Sequence, residues 1–117
     1  MKLIATILLV LSFGASAGAD NSIDKEAVRK VIKNNLPLFQ KCYADELKND
    51  PKIKGKVVLS WDISDTGEVK TATIKSSALK NKTAEECIVA TVKALKFPEA
   101  PQGTFANINF PFVFGKN

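Results

Sequence analysis

Two kinds of hydrophobic spacing along this chain predict its secondary structure. From an N-cap predicted at Ser22 to Leu47, apolar side chains recur every three or four positions, the spacing of one buried helix face. Pro37 interrupts this pattern without shifting its phase, which predicts either a kinked helix or two helices in line. Residues 81–95 repeat the helical spacing, and Thr83 lies at the first position of a capping box.

Three segments with alternating apolar and polar residues predict β-strands. Residues 55–76 contain two of them, joined by the turn sequence SDTG, and predict a hairpin. The third is FANINFPFVF, in which Pro111 lacks an N–H and therefore belongs at a sheet edge or a bulge. The order α-β-β-α-β predicts an α+β domain, with two helices packed on one face of a three-stranded antiparallel sheet.

The N-terminus has the three-part pattern of a secretory signal peptide. A basic second residue precedes an apolar run over residues 3–13, and small residues follow with candidate cleavage points after Ala17 and Ala19. The run is shorter than the about 20 residues that a spanning helix needs, and an uncleaved anchor is the alternative. We therefore expect a signal peptide at 1–19, a single periplasmic domain at 20–117, and no membrane contact after cleavage.

The charge pattern predicts a solvated surface. The chain has 17 basic and 12 acidic residues and no histidine, and removal of the signal would lower its net charge from +5 to +4. The lysines spread along the whole chain, whereas a nucleic-acid footprint needs a basic face or stripe. We expect protein partners and no nucleic acid.

The two cysteines predict a structural disulfide, and the helical spacing places each of them on the inner face of its helix. In an exported protein of this size, an even pair such as Cys42 and Cys87 favours a disulfide over a metal site or a nucleophile. Zinc would require further thiolates or histidines. The bond would close a loop of about 46 residues and stabilise the fold by roughly 4 kcal/mol on chain-entropy grounds.

The sharpest catalytic candidate is the tripeptide DTG at residues 65–67. Aspartic proteases use this tripeptide, but between two alternating strands Asp and Gly are ordinary turn residues. The spacing of Asp62, Asp65 and Glu68 does not match a calcium loop. Without histidine there is no Ser-His or Cys-His relay. We expect no catalysis, no metal and no cofactor.

The ordered landmarks of the chain resemble the TonB-like C-terminal domain family, and more closely its AgmX/PglI branch of bacterial envelope proteins. They read CYADEL, PKIKGKVVLSWDISDTGEV, SS with ECI, KFP and FPFVF, and they cover about residues 28–114. The resemblance implies a TonB C-terminal-like fold, pairing of the two matching cysteines, and a periplasmic protein-interaction module. TonB couples inner-membrane energy to transporters by adding a transporter segment to its sheet edge, and AgmX-type proteins are linked to gliding motility.

The resemblance also implies that a partner binds by strand addition at a sheet edge. The chain shows no long Pro/Lys-rich spacer, so we expect a binding module and not an energy transducer. The outward residues of the last strand, Asn107, Asn109 and Val113, are the predicted partner-binding residues. The alternatives are a homodimer through this strand, and an accessory subunit of an envelope or motility complex that assembles through helix surfaces.

Overall fold

The computed structural model describes residues 24–115, which form one layer of helices on one antiparallel sheet. The helices are α1 (Lys25–Asn34), α2 (Leu36–Leu47) and α3 (Lys82–Lys93), and the strands are β1 (Gly55–Ser64), β2 (Val69–Ser77) and β3 (Phe105–Phe114). The strand order is β2-β1-β3. The predicted α+β class and three-stranded antiparallel sheet are confirmed. No helix within 24–115 is long and apolar enough to cross a membrane.

The first helical region consists of two helices. Asn35 closes α1, and its main-chain N–H donates to the carbonyls of Val31 and Ile32 at 3.2 and 3.1 Å. Its side-chain amide also donates to the Val31 carbonyl, at 2.8 Å. Pro37 lies in the first turn of α2, where the missing N–H breaks no helical hydrogen bond. The element order is therefore α-α-β-β-α-β, with three helices in place of the predicted two.

Short polar side chains begin two of the helices. Asp24 caps α1 by accepting a hydrogen bond from the N2 amide at 2.9 Å, whereas the predicted cap, Ser22, lies outside the described residues. Asn81 caps α3 and accepts from the Ala84 N–H at 2.8 Å. The capping role predicted for Thr83 is therefore wrong. Because α3 begins at Lys82, Asn81 occupies the N-cap position and Thr83 already lies inside the first turn.

The core lies between the helices and one face of the sheet. Strand β1 contributes the four alternating residues of its inner face, each at most 1% exposed: Val57, Leu59, Trp61 and Ile63. The aromatic residues of β3 extend this core, since Phe112 stacks on Phe39 of α2 with 4.6 Å between ring centroids. Phe114 stacks on Tyr43 at 5.3 Å. Each such fully buried side chain stabilises the fold by about 1.5–3 kcal/mol.

A disulfide joins α2 to α3. The sulfurs of Cys42 and Cys87 are 2.02 Å apart and their Cα atoms 5.6 Å apart. Cys42 is buried, whereas Cys87 is exposed, so the inner-face position predicted for Cys87 is wrong. The bond therefore closes the rim of the helix pair, next to the half-buried Thr91, whose hydroxyl lies 3.4 Å from the Cys42 sulfur.

The turn between β1 and β2 is tied to the segment that follows α3. Gly67 has φ +88°, and its carbonyl accepts a hydrogen bond from the Phe97 N–H at 2.8 Å. A Cβ at Gly67 would overlap the carbonyl oxygen of Phe97. Glycine is therefore required there both for its positive φ and for this close approach.

We predict that Gly67→Ala destabilises the domain more than Gly103→Ala. Both glycines have nearly the same positive φ, +88° and +85°, but a Cβ at Gly103 meets no atom within 4 Å. The φ strain of about 1–2 kcal/mol is common to both. The overlap at Gly67 adds about 1–3 kcal/mol. Urea unfolding of the two variants measures the difference, and equal losses would contradict the close approach.

We predict that the Cys42→Ala/Cys87→Ala double variant loses about 4 kcal/mol of unfolding free energy, because the unfolded chain regains the freedom of the closed loop. Chemical denaturation with and without reductant measures this loss. The double variant also serves as the control for the reductant. Reductant should lower the stability of the parent protein and leave that of the double variant unchanged. A parent protein indifferent to reductant would contradict the prediction.

Candidate functional site

The predicted binding residues lie together on the open face of β3. Asn107, Asn109 and Val113 are all exposed, with Val113 at 57%. Among the described residues β3 pairs only with β1, so its second edge carries no strand. Phe105, 67% exposed, shares this face and was missed. Phe105 lies three residues before the buried Ile108, and an odd separation along a strand places two side chains on opposite faces of the sheet. This separation was the signal that could have identified it.

The main-chain groups of β1 point alternately to β2 and to β3, and this alternation determines which main-chain groups of β3 face away from the sheet. On the side of β2, the Lys56 carbonyl accepts from the Ala78 N–H at 2.9 Å, and the Ser64 N–H donates to the Glu68 carbonyl at 2.8 Å. Both of these β1 residues are even-numbered. Because these groups alternate along a strand, the odd-numbered residues of β1 bond to β3. They pair with even-numbered residues of β3, as Trp61 does with Ile108. The main-chain groups of the odd-numbered residues in 105–113 therefore point to the open edge.

Pro111 is one of these outward residues. It lies opposite Val58 in the register, at a position where the main chain of β3 faces away from β1. Its missing N–H therefore breaks no hydrogen bond inside the sheet. The same missing donor would interrupt a ladder with an added strand after Asn109. An added strand can therefore form both hydrogen bonds with Asn107 and with Asn109, but only one with Pro111.

The asparagine side chains of β3 belong to a polar network on the open face. The side-chain amide of Asn107 donates to one carboxylate oxygen of Asp62 at 2.7 Å, and the hydroxyl of Thr71 on β2 donates to the other carboxylate oxygen of Asp62 at 2.9 Å. Asn109 donates to the side-chain oxygen of Asn107 at 3.1 Å. The network links the three strands across the sheet. The side chains of Asn107 and Asn109 are therefore already engaged in hydrogen bonds within the sheet.

A groove of about 690 Å³ separates α1 from the edge of β3. Its apolar lining includes Ile32 of α1, Leu36 at the start of α2, and Phe110 and Phe112 of β3. Lys30 and Lys33 line the helix side and form no salt bridge within residues 24–115. A strand added at this edge would direct alternate side chains to the groove side of the sheet. Sequence reasoning missed the groove because it forms only when α1 packs beside β3.

The opposite edge of the sheet is formed by β2 and differs from β3. Its pairing with β1 has two register irregularities, between Val58 and Leu59 and between Asp62 and Ile63. β2 also carries exposed lysines. Bulges and lysines are the features by which proteins discourage pairing at a sheet edge. The register of β3 with β1 is continuous over ten residue pairs, so β3 is the regular edge of the two.

The DTG tripeptide forms part of a structural turn. The Asp65 carboxylate accepts a hydrogen bond from the Gly103 N–H at 2.7 Å, and its main-chain carbonyl accepts from the Ala100 N–H at 2.9 Å. These bonds hold the loop that leads into β3. The carboxylate therefore has a structural partner in this turn, as the hairpin interpretation predicts. The part of the chain that the structure describes contains no group of three or more potential metal ligands.

Comparison with known proteins adds one structural likeness. This chain is similar to the NMR solution structure of the Helicobacter pylori TonB C-terminal domain, with a TM-score of 0.44 and 16% sequence identity over 85% of this chain and 98% of that chain. No protein-family model and no curated protein matches this chain. Its membership of the TonB-like C-terminal domain family, or of the AgmX/PglI branch, therefore stays a prediction.

Proposed function

We propose that this chain is an exported protein-interaction module of the bacterial envelope, which binds an extended segment of a partner protein at the open edge of β3. The observation that carries the proposal is the regular edge of β3, which has no second strand beside it within residues 24–115 and whose outward main-chain groups belong to alternate residues from Phe105 to Val113. Peptide N–H and C=O groups at such an edge accept an added strand without rearrangement of the sheet. The groove beside α1 provides room for the side chains that the added strand directs inward.

The proposed compartment is the periplasm. Residues 1–19, the predicted signal peptide, lie outside the described residues, and the interpretation of this segment rests on its sequence pattern. The Cys42–Cys87 disulfide supports it, because such bonds persist in oxidising compartments. The sequence resemblance to TonB-like and AgmX-type domains favours the same location and a role without catalysis.

The second candidate is an accessory subunit of an envelope complex that assembles through helix surfaces. Leu38 on α2 favours it, since this side chain is 50% exposed on the outside of the helix layer. The two candidates differ in the surface that contacts the partner. Strand addition uses the edge of β3, whereas helix docking would use the outer surface of α2.

We predict that Asn109→Pro abolishes partner binding, whereas Asn109→Ala retains it. Proline removes the outward N–H that a partner strand needs, and alanine removes only the side chain. Neither change breaks a β1–β3 hydrogen bond, because the main chain of Asn109 faces outward. The measurement is in-cell photocrosslinking from position 107 in each background, followed by mass spectrometry of the captured peptide.

Folding of both variants is checked by circular dichroism and by retention of the disulfide. Capture of one envelope protein through an extended segment, lost only with proline, is the expected result. Equal capture by the proline and alanine variants would contradict strand addition. If Leu38→Asp loses partner capture while both Asn109 variants retain it, the contact lies on the helix surface instead.

A further inference from the structure

The two ends of the disulfide between α2 and α3 differ in their exposure to solvent. Cys42 is 2% exposed and belongs to the hydrophobic core, whereas Cys87 is exposed on the surface of α3. The bond therefore leads from the core to the surface, and an external reagent reaches it at its Cys87 end. Disulfides that are accessible in this way are the ones that thiols attack most readily.

We propose that Cys87 is a thiol–disulfide exchange site, at which a small thiol or the thiol of a dithiol protein forms a reversible mixed disulfide. The attacking thiolate forms a bond to the Cys87 sulfur, and the bond between Cys87 and Cys42 breaks. Its electron pair passes to the Cys42 sulfur, which takes up the proton that the attacking thiol has lost. The external thiol is oxidised to the mixed disulfide, and Cys42 is reduced to a free thiol.

The burial of Cys42 determines which of the two sulfurs is attacked. A thiolate approaches a disulfide sulfur from the side opposite the leaving sulfur. At Cys87 this side faces away from the buried Cys42. At Cys42 the approach would begin inside the helix layer, where Phe39, one turn before it on α2, is 0% exposed and stacks on Phe112 of β3. Attack is therefore directed to Cys87.

The neighbours of Cys87 on α3 leave the approach open. Residues three and four positions away share its side of the helix. At all four of these positions the side chain is small and uncharged: Thr83, Ala84, Ala90 and Thr91. An attacking thiolate therefore meets neither a large side chain nor a fixed negative charge at these positions.

Thr91 provides a hydrogen-bond acceptor for the sulfur that leaves. Its hydroxyl donates to the Cys87 carbonyl at 2.8 Å, and its oxygen lies 3.4 Å from the Cys42 sulfur. In the closed bond the Cys42 sulfur carries no proton. After exchange, the Cys42 thiol can donate to this oxygen, whose own proton is already engaged. The buried thiol therefore has a partner in place without any rearrangement.

The other contacts between α2 and α3 keep Cys42 opposite Cys87 when the bond opens. Ile88 on α3 is fully buried in the same core as Phe39. The side-chain amide of Asn81, at the start of α3, also donates to the Glu46 carboxylate of α2 at 3.2 Å. We therefore expect the opened domain to stay folded. The Cys42 thiolate can then attack the Cys87 sulfur, release the external thiol and restore the original bond.

Regioselective modification tests the exchange site. The parent protein is incubated with reduced glutathione under native conditions, quenched with acid and alkylated with a maleimide after unfolding. Trypsin then separates the two cysteines, because lysines flank the fragments 42–48 and 83–93. Mass spectrometry should find glutathione on 83–93 together with maleimide on 42–48, in at least about tenfold excess over the reverse arrangement.

Two single variants provide a matched comparison. Cys42→Ala and Cys87→Ala each leave one free thiol, and oxidised glutathione serves as the probe. The thiol of Cys87 should form the mixed disulfide at least about tenfold faster than the thiol of Cys42. Circular dichroism checks that both variants fold, and the parent experiment decides the question where one of them does not.

A second arm distinguishes the two sources of the thiol. The parent is incubated with a dithiol protein of the Cys-x-x-Cys type whose second cysteine is changed to serine, so that a mixed disulfide persists. An adduct with glutathione alone supports a small thiol as the source, whereas a covalent complex through fragment 83–93 alone supports a protein thiol.

Equal modification of the two fragments, or modification only after the protein is unfolded in urea, would overturn the proposal. The exchange site lies on the helix layer and does not depend on strand addition at β3. Partner capture at β3 by a protein that forms no thiol adduct would therefore remove only the exchange site and leave the proposed function intact.

Discussion

The rest of this structure depends on the alternation of β1, the central strand. Its odd-numbered side chains, such as Leu59 and Trp61, are buried against the helices, and its main-chain groups bond alternately to β2 and β3. A strand with period two cannot shift by one residue without moving its apolar side chains into water. The same constraint determines the face that β3 buries and the main-chain groups that β3 leaves at the open edge.

The other links of the fold hold the edge in place. The disulfide joins α2 to α3, and the turn residues Asp65 and Gly67 bond to the segment between α3 and β3. That segment positions the first residue of β3. The position of α1 beside the strand then creates the groove. Each of these contacts joins residues distant in sequence, which is how a domain of this size keeps one strand edge ordered and accessible.

The strands could be predicted from the sequence because their period of two depends only on neighbouring residues. The last strand was predicted at its observed bounds, and the burial of Trp61 and Phe112 follows from the same pattern. Helix ends were less predictable, since Asn81 and Thr83 both carry capping side chains and only the main-chain geometry selects Asn81. The exposure of Cys87 also required the structure, because it depends on how α3 is rotated against α2.

Hydrophobic alternation alone does not encode strand order, and the only sequence signal for an edge was Pro111, which indicated a sheet edge or a bulge in the last strand. β1 and β3 have similar patterns, and only the pairing places β1 in the centre. The contrast between the irregular edge of β2 and the regular edge of β3 likewise appears only in the register. The location of the candidate site at the edge of β3 therefore depends on strand order and register, whereas the exposure of its residues follows from the alternating sequence pattern.

The most direct test of this account is amide hydrogen exchange along β3, measured by NMR in dilute, unbound protein. The amides of Ile108, Phe110 and Phe112, which face β1, should exchange at least about a hundredfold more slowly than those of Asn107 and Asn109, which face the open edge. This alternation would establish that the main chain of the edge is open to a partner strand. Equal protection of both sets in the monomer would contradict it.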